Sequence, residues 1–239
     1  MYSSEFQAII DRRRSNRRFD PLVEVPDEVI KRSIERAILS PNSSNMQLWE
    51  FYWIKNEEER KKYEALCLGQ SAAKTAKQIV VFVTRKDLWP QRAKWNYDRL
   101  KAGIKGEPSK LEKRGLDYYG KLMPFVYRDL FGIFGFFKFI LSWLIGLFKP
   151  TYRQLRNSDM RIVAHKTCAL AAENFMLSMA AEGYDTCPME GSDTWRVKKL
   201  LNLPRGAEIN MIVSCGIRKP EGVYGERFRI PFEEVYKEV

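Results

Sequence analysis

The sequence predicts an α+β domain in which helices enclose a mixed central sheet. Three stretches carry that prediction. Gln78 to Arg85 reads QIVVFVTR, a buried strand. Ala207 to Cys215 closes the core as another strand, with Ile209, Met211 and Val213 on one face. Between them a long helical pattern runs from about Ser158 to Ala181 and stops at Gly183.

The other elements follow in order. Residues 4 to 14 read as a helix, with Ser3 or Ser4 as N-cap and Phe6, Ile9 and Ile10 on one face. Pro26-Asp27-Glu28 opens a second helix with acids in its first turn, and Pro41 follows its end. Trp49 to Lys55 is aromatic and β-prone, a strand; Asn56 then caps a third helix to about Leu66. On the long helix, Ala169, Ala171, Ala172 and Ala180 suit close packing, as at a dimer core. Ser192 or Asp193 caps a helix holding Val197, Leu200 and Leu201. The chain reads as one domain over 1–239, with an inserted segment at about 86–158 that is first charged and then strongly apolar.

At 239 residues the chain can bury a sizeable core, and 45% hydrophobic with 30% charged residues is an ordinary globular balance. Four scattered cysteines match no zinc or redox pair and read as reduced thiols of a cytoplasmic protein. The N-terminus shows charged residues where a secretory signal would be apolar. The single histidine, His165, rules out histidine-rich metal sites and reads as a packed structural residue, so no metal is expected. Any demanding chemistry then falls to a cofactor. A net charge of +11 asks for an anionic partner: nucleic acid, anionic lipid or a phosphate-bearing cofactor. No nucleic-acid-binding signature is visible, so nucleic acid ranks last and none is expected.

Four motifs carry the functional reading. Arg13-Arg14-Ser15-Asn16-Arg17-Arg18-Phe19 follows the first helix. In an extended segment Arg13, Ser15 and Arg17 point to one side, where guanidinium forks and a hydroxyl bind phosphate. Alone, such a run reads equally as a solvated basic helix end. Ser40-Pro41-Asn42-Ser43-Ser44-Asn45-Met46-Gln47-Leu48-Trp49 offers hydroxyls and amides for a polyol or heterocycle, or forms a plain polar loop. Cys187-Pro188-Met189-Glu190-Gly191 and Arg227-Phe228-Arg229-Ile230-Pro231 lie far downstream.

Together these four motifs resemble the nitroreductase family, FMN-dependent oxidoreductases that work as homodimers, over most of the chain outside 86–158. The resemblance implies that fold, with long central helices at the dimer interface, FMN as cofactor and NADH or NADPH as reductant. It places Arg13, Arg14, Ser15 and Arg17 on FMN, with Arg17 near N1 and the C2 carbonyl, where positive charge stabilises the anionic reduced ring. Pro41, Asn42, Ser43 and Asn45 would meet the flavin of the opposite subunit; Asn42 stands where serine is frequent and Leu48 where proline is usual. Pro188, Met189, Glu190 and Gly191 form a turn along the flavin, the Glu190 backbone N–H aimed at N5 and Gly191 allowing close approach. Arg227 and Arg229 join Arg13 in a phosphate clamp. Gln70, in the Gly69-Gln70-Ser71 loop, is a further flavin contact, whereas Lys74 falls out of register with the family's lysine. The implied reaction passes hydride from NAD(P)H through N5 to a quinone, nitroaromatic or similar conjugated acceptor by ping-pong exchange. The alternative is a non-catalytic, membrane-associated flavin- or anion-binding protein on the same fold.

Leu130 to Phe148 reads LFGIFGFFKFILSWLIGLF, almost long enough to span a bilayer. Motifs on both sides of it must build one site, which argues against a single span. Gly132, Gly135, Lys138, Ser142, Gly146 and Lys149 trace one helical stripe, and every other face is apolar. Three readings stay open: a core or dimer-interface helix packing on its glycine seam, an anchor lying on the anionic inner face of a membrane, or an apolar lid over the flavin favouring a lipophilic acceptor. Lys121, Arg128, Lys149 and Arg153 flank the segment. The charged stretch before it, Trp89 to Lys121, reads first as solvated helix, with gating of the pocket or binding of a nicotinamide cofactor's phosphates as the other readings.

Overall fold

The computed structural model describes residues 2–130 and 132–239; residue 131, within the expected apolar helix, lies outside the described residues. Helices α1 (Ser3–Arg12), α2 (Asp27–Ala37), α3 (Glu57–Leu66) and α4 (Ser71–Thr75) occupy the first third of the chain. The insertion supplies α5 (Trp89–Gly103), α6 (Lys110–Asp117), a π-helical turn (Tyr118–Leu122), α7 (Met123–Tyr127) and α8 (Ile133–Ile145). Then come α9 (Asn157–Ala181), α10 (Thr194–Leu200) and a last turn, α11 (Phe232–Val235). Strands β1 (Trp49–Ile54), β2 (Gln78–Thr84), β3 (Asp185–Met189) and β4 (Glu208–Gly216) form one sheet in the order β1-β2-β4-β3.

The α+β class stands. All three ladders are antiparallel, and parallel pairing among the described residues is limited to an isolated bridge between Ser15 and Thr186. Every residue of β2 is buried because helices cover both faces of the sheet. Ile79, Val81 and Val83 pack with Tyr63, Cys67 and Val197 beneath α3 and α10. Val80 and Phe82 pack with Ile30, Phe175 and Met179 beneath α2 and α9.

Local chemistry sets the helix ends. The Asn56 side chain accepts from the backbone N–H groups of Glu58 and Glu59 (2.8 and 3.2 Å), and Asp193 accepts from Arg196 N–H (3.0 Å). Neither Ser3 nor Ser4 caps α1: Tyr2 holds that position, and Ser4 donates to the Glu5 carboxylate. Helix α1 also ends at Arg12, short of the expected residue 14, because the chain turns extended at Arg13 to reach β3.

Two further differences from the sequence reading have physical causes. Pro188-Met189, read as part of a turn, ends strand β3; proline is tolerated there because β3 lies at the sheet edge. Ile209 does not share a face with Met211 and Val213. Val83 pairs with Ile209 while Phe82 pairs with Met211, so Asn210 is a bulge residue that reverses the alternation. Its side-chain amide donates to His165 Nδ1 (3.2 Å) and to the His165 carbonyl (3.1 Å), while His165 Nε2 meets Glu208 at 3.3 Å. That histidine is half-buried between Asn210 and Glu208. On α9, Ala171, Ala172 and Ala180 are buried, Ala171 and Ala172 in the cluster against the sheet, and Ala169 is half-buried.

The insertion docks through Ala93, Met123 and Tyr127 onto Met46, Leu48, Met160 and Ala164. In α8 the small and polar stripe faces inward: Gly135, Lys138 and Ser142 are buried. Lys138 Nζ donates to the carbonyls of Phe125, Val126 and Arg128 (3.0, 2.9 and 2.9 Å), closing the C-terminal end of α7. Burial lowers the pKa of this ammonium against the opposing pull of Asp129. The Arg153 guanidinium lies over Gly146, donating to its carbonyl (2.9 Å), where an added Cβ would displace it. The outer faces stay exposed, including Phe134, Phe136, Phe137, Leu141, Trp143 and Leu144. No helix among the described residues is long and apolar enough to cross a membrane.

Candidate functional site

After α1 the extended backbone brings the first and third motifs side by side. Ser15 bridges Thr186, and Asn16 N–H donates to the Thr186 carbonyl (3.0 Å). Asn16 is fully buried, while Arg13, Ser15 and Arg17, at alternate positions, are half-buried. Arg17 N–H donates to the Gly222 carbonyl (2.6 Å). Gly222 passes so close to Asn16 and Arg18 that a side chain there would overlap both. Burial pushes the Cys187 thiol up, and the neighbouring Arg17 and Arg13 guanidiniums pull it part of the way back. Both arginines therefore stand beside β3. Among the described residues neither forms an ion pair.

Asp185 anchors the far side of this seam. Its buried carboxylate accepts from Arg218 N–H (2.9 Å) and Nε (2.8 Å), holding the loop that leads to Gly222 against the start of β3.

Past Met189 the chain leaves the sheet. Glu190 and Gly191 are exposed, and among the described residues neither backbone N–H donates to an acceptor outside the regular ladders. Gln70 Nε2 donates to the Gly191 carbonyl (2.7 Å), and Asp193 N–H donates to the Leu66 carbonyl (2.7 Å). The hydroxyls of Thr186 and Ser192, one on each side of this turn, are buried without a partner. Lys74 also belongs to this neighbourhood: its Nζ lies 3.7 Å from the Cβ position of Gly69. Register in the sequence set Lys74 aside; the short helix α4 brings it back to the Gly69–Gln70 loop.

The C-terminal arginines part company. Arg227 Nη2 donates to the carbonyls of Ile10, Asp11 and Arg13 (3.0, 3.0 and 2.6 Å), so it caps α1 and adjoins Arg13. Arg229 is exposed and, among the described residues, bonds only the carbonyl of Phe228. Arg14 Nη2 donates to the Gly225 carbonyl (3.0 Å).

The second motif is held elsewhere. Asn42 Oδ1 accepts from Gln47 N–H (2.9 Å), and Asn45 exchanges amide bonds with Asn96. Ser43 N–H reaches Thr167 of α9 (3.4 Å), and Ser44 Oγ meets the Tyr118 hydroxyl at 2.7 Å. Ser44, Asn45 and Gln47 all adopt positive φ, a strained path fixed by these bonds. Among the described residues, no hydrogen bond or ion pair joins Pro41, Asn42, Ser43 or Asn45 to the Arg13–Gly191 cluster of the same chain.

Comparison with known proteins places this geometry in context. Residues 10–217 match the model of the nitroreductase family. Protein DrgA of a Synechocystis strain is 26% identical over 225 residues, covering 93% of this chain and 87% of DrgA. The crystal structure of a nitroreductase-like protein from Streptococcus mutans superposes with a TM-score of 0.73 at 19% identity, over 99% of this chain and 98% of that one. An NADPH:FMN oxidoreductase from Vibrio harveyi, solved with NAD+, gives a TM-score of 0.64 at 15% identity, over 98% and 76% of the two chains.

Proposed function

The chain belongs to the nitroreductase family, and from that premise we propose that it is an FMN-dependent oxidoreductase oxidising NADH or NADPH and reducing a conjugated electrophile. One observation carries the reading: the Ser15–Thr186 bridge sets two guanidiniums that form no ion pair among the described residues beside the exposed Glu190–Gly191 turn. That donor set fits FMN. Arg13 and Arg17 offer charge to a phosphate and to an electron-rich ring edge, Ser15 a hydroxyl, and Thr186 and Ser192 buried hydroxyls without partners. Arg13, Arg14, Ser15, Arg17, Gln70, Pro188, Met189, Glu190, Gly191, Arg227 and Arg229 would hold the group in one subunit. FMN, when bound, supplies the two-electron relay between nicotinamide and acceptor. Arg17 and the Glu190 N–H contribute fixed positive charge and a donor dipole, which favour negative charge on the ring system without a side-chain acid.

The protein acts as a homodimer in this reading. The partner subunit's Pro41, Asn42, Ser43 and Asn45 complete the site, in keeping with their separation from the Arg13–Gly191 cluster within one chain. Reductant and acceptor use the same opening in turn. With a quinone acceptor, NAD(P)H and one proton yield NAD(P)+ and the hydroquinone.

The outer face of α8 seats the protein peripherally on an anionic bilayer. Its exposed Phe, Leu, Ile and Trp side chains are ringed by exposed Lys121, Arg128, Lys149 and Arg153. A second copy would bring the same basic ring and repel it; an anionic lipid surface complements it. Cosedimentation with phosphatidylglycerol vesicles but not phosphatidylcholine vesicles, lost in Phe137→Asp, is the expected result, and equal recovery in all supernatants would refute it.

The absorbance spectrum of the purified protein tests the central reading. Flavin bands that bleach on anaerobic addition of NADH or NADPH are expected. A protein that takes up no FMN on reconstitution would end it; one whose bands persist would match the non-catalytic alternative.

A further inference from the structure

A cavity of about 460 Å³ lies between α8, the π-helical turn with α7, the start of α9 and the Ser43–Ser44 loop. That volume falls in the ordinary range of small-molecule sites, about 300–1,000 Å³. Its walls are apolar, with Leu141 and Ile145 on α8 facing Met160 and Val163 on α9. Among the described residues Lys138 is the only charged side chain lining it, and its ammonium is already committed to three backbone carbonyls. Burial pushes the Tyr127 phenol up to about 12, keeping that lining hydroxyl neutral. No carboxylate or arginine lines the cavity, so a nicotinamide dinucleotide's phosphates find no counter-charge there.

The two ends differ. At one, exposed Ser43 and half-buried Ser44 line the cavity, the latter bonded to Tyr118. At the other, Leu122, Phe125, Leu141 and Tyr152 line it while remaining about half exposed. The cavity therefore opens onto the same apolar surface that α8 presents outward. An apolar chain could enter there without crossing a charged rim, its head group stopping at the polar loop.

We propose that this cavity binds the alkyl or prenyl chain of a lipid-borne molecule, with the head group at the Ser43–Ser44 end. This rests on the reading above for one point only, that the head group is the electron acceptor presented to FMN. The chain site itself stands on the cavity. Fatty acyl and polyprenyl chains share the chemistry the walls recognise.

The test uses the full-length protein as purified. Binding is read first without turnover, from fluorescence of N-phenyl-1-naphthylamine and its displacement by decanol and by geraniol. Displacement is expected, with the stronger competitor identifying an acyl or a prenyl source. Val163→Trp and Leu122→Trp fill the cavity from the partly buried α9 wall and from the half-exposed mouth, and each should abolish saturable probe binding. Kinetics come second: along a series of 2-alkyl-1,4-benzoquinones, kcat/KM should climb roughly fourfold per buried methylene until the cavity is full. Both tryptophan variants should flatten that slope. No saturable binding, or binding unchanged in both variants, overturns the chain site. Displaceable probe binding with a flat quinone series overturns its link to the acceptor. Probe binding in a protein that holds no FMN supports the chain site while the oxidoreductase reading fails, so the two failures are distinct.

Discussion

Gln70 Nε2 donates to the Gly191 carbonyl across 2.7 Å, fastening the loop after α3 to the turn after β3. The loop reaches that position through Leu68 and Gly69, both at positive φ. On the other side, Ser15 fixes the basic segment to Thr186 just upstream of the same turn. The exposed N–H groups of Glu190 and Gly191 are thus held between two anchors. Gln70→Ala removes one of them. A neutral hydrogen bond contributes about 1 kcal/mol, so FMN should bind roughly fivefold more weakly in fluorescence titration. The bond is exposed, so Tm should fall by no more than about 3 °C. An unchanged FMN Kd would show that the turn keeps its shape without Gln70.

The two C-terminal arginines are separable by experiment. Arg227 ties three carbonyls at the end of α1, whereas Arg229 touches only its neighbour's carbonyl. Arg227→Ala should therefore lower Tm and FMN affinity together. Arg229→Ala should leave Tm within about 1 °C and weaken FMN about tenfold, the loss of one charge-assisted contact. Calorimetry beside a fluorescence titration reads both quantities. Wild-type affinity in Arg229→Ala would remove that residue from the phosphate clamp.

Local chemistry was legible in the sequence, and long-range pairing was not. Asn56 and Asp193 announce their helices because a cap acts within three residues. The apolar run of β2 is readable because both its faces are covered. Strand β3 escapes such a reading: it is five residues long, contains Pro188 and gains strand geometry from β4 and Ser15. The Asn210 bulge is equally silent, since its cause is a contact with His165 on a distant helix. For α8 the stripe from Gly135 to Ser142 was visible. Which side of the helix faces inward was not, because the carbonyls that receive Lys138 assemble only when α7 folds. In the candidate site, residue types were readable and partners were not. Lys74 and the unpartnered Thr186 hydroxyl emerge only in three dimensions.

Glu182 links pH to the packing of α2 on α9. Its carboxylate accepts two bonds from Arg32 (2.8 Å each) and one from Arg36 (2.8 Å). The Arg32 hydrogen bonds, opposed by burial and then helped by Arg36, hold the carboxyl down at about 2, below its ordinary 4.5. A depressed carboxyl stabilises the fold fully above its unfolded pKa, and that contribution fades as pH falls from about 4.5 to about 2. Both arginines are nearly half exposed, so screening limits the contribution to about 1 kcal/mol. Glu182→Gln should lower Tm by about 2–4 °C at pH 7 and match the wild type near pH 2. A Tm gap that stays constant across this range would assign the effect to packing and not to charge.

Lys138 should govern the attachment of α8 more than the stability of the whole chain. Its ammonium satisfies three carbonyls at the end of α7, and no other charged side chain lines the space behind the helix. Lys138→Met keeps the length and apolar stem but leaves those carbonyls without their donor, at about 2–3 kcal/mol. The sheet with its two helical layers packs in separate clusters from the insertion, so the loss should appear as local opening. Amide exchange across α7 and α8 is expected to quicken on the order of 30- to 150-fold. Exchange in β2 and α9 should hold at the wild-type rate. Lys138→Arg should not restore protection, because a planar guanidinium cannot direct three donors into the space that one ammonium occupies. If exchange quickens equally in β2, α8 is part of the global folding unit; if it quickens nowhere, the three hydrogen bonds contribute nothing to holding the helix.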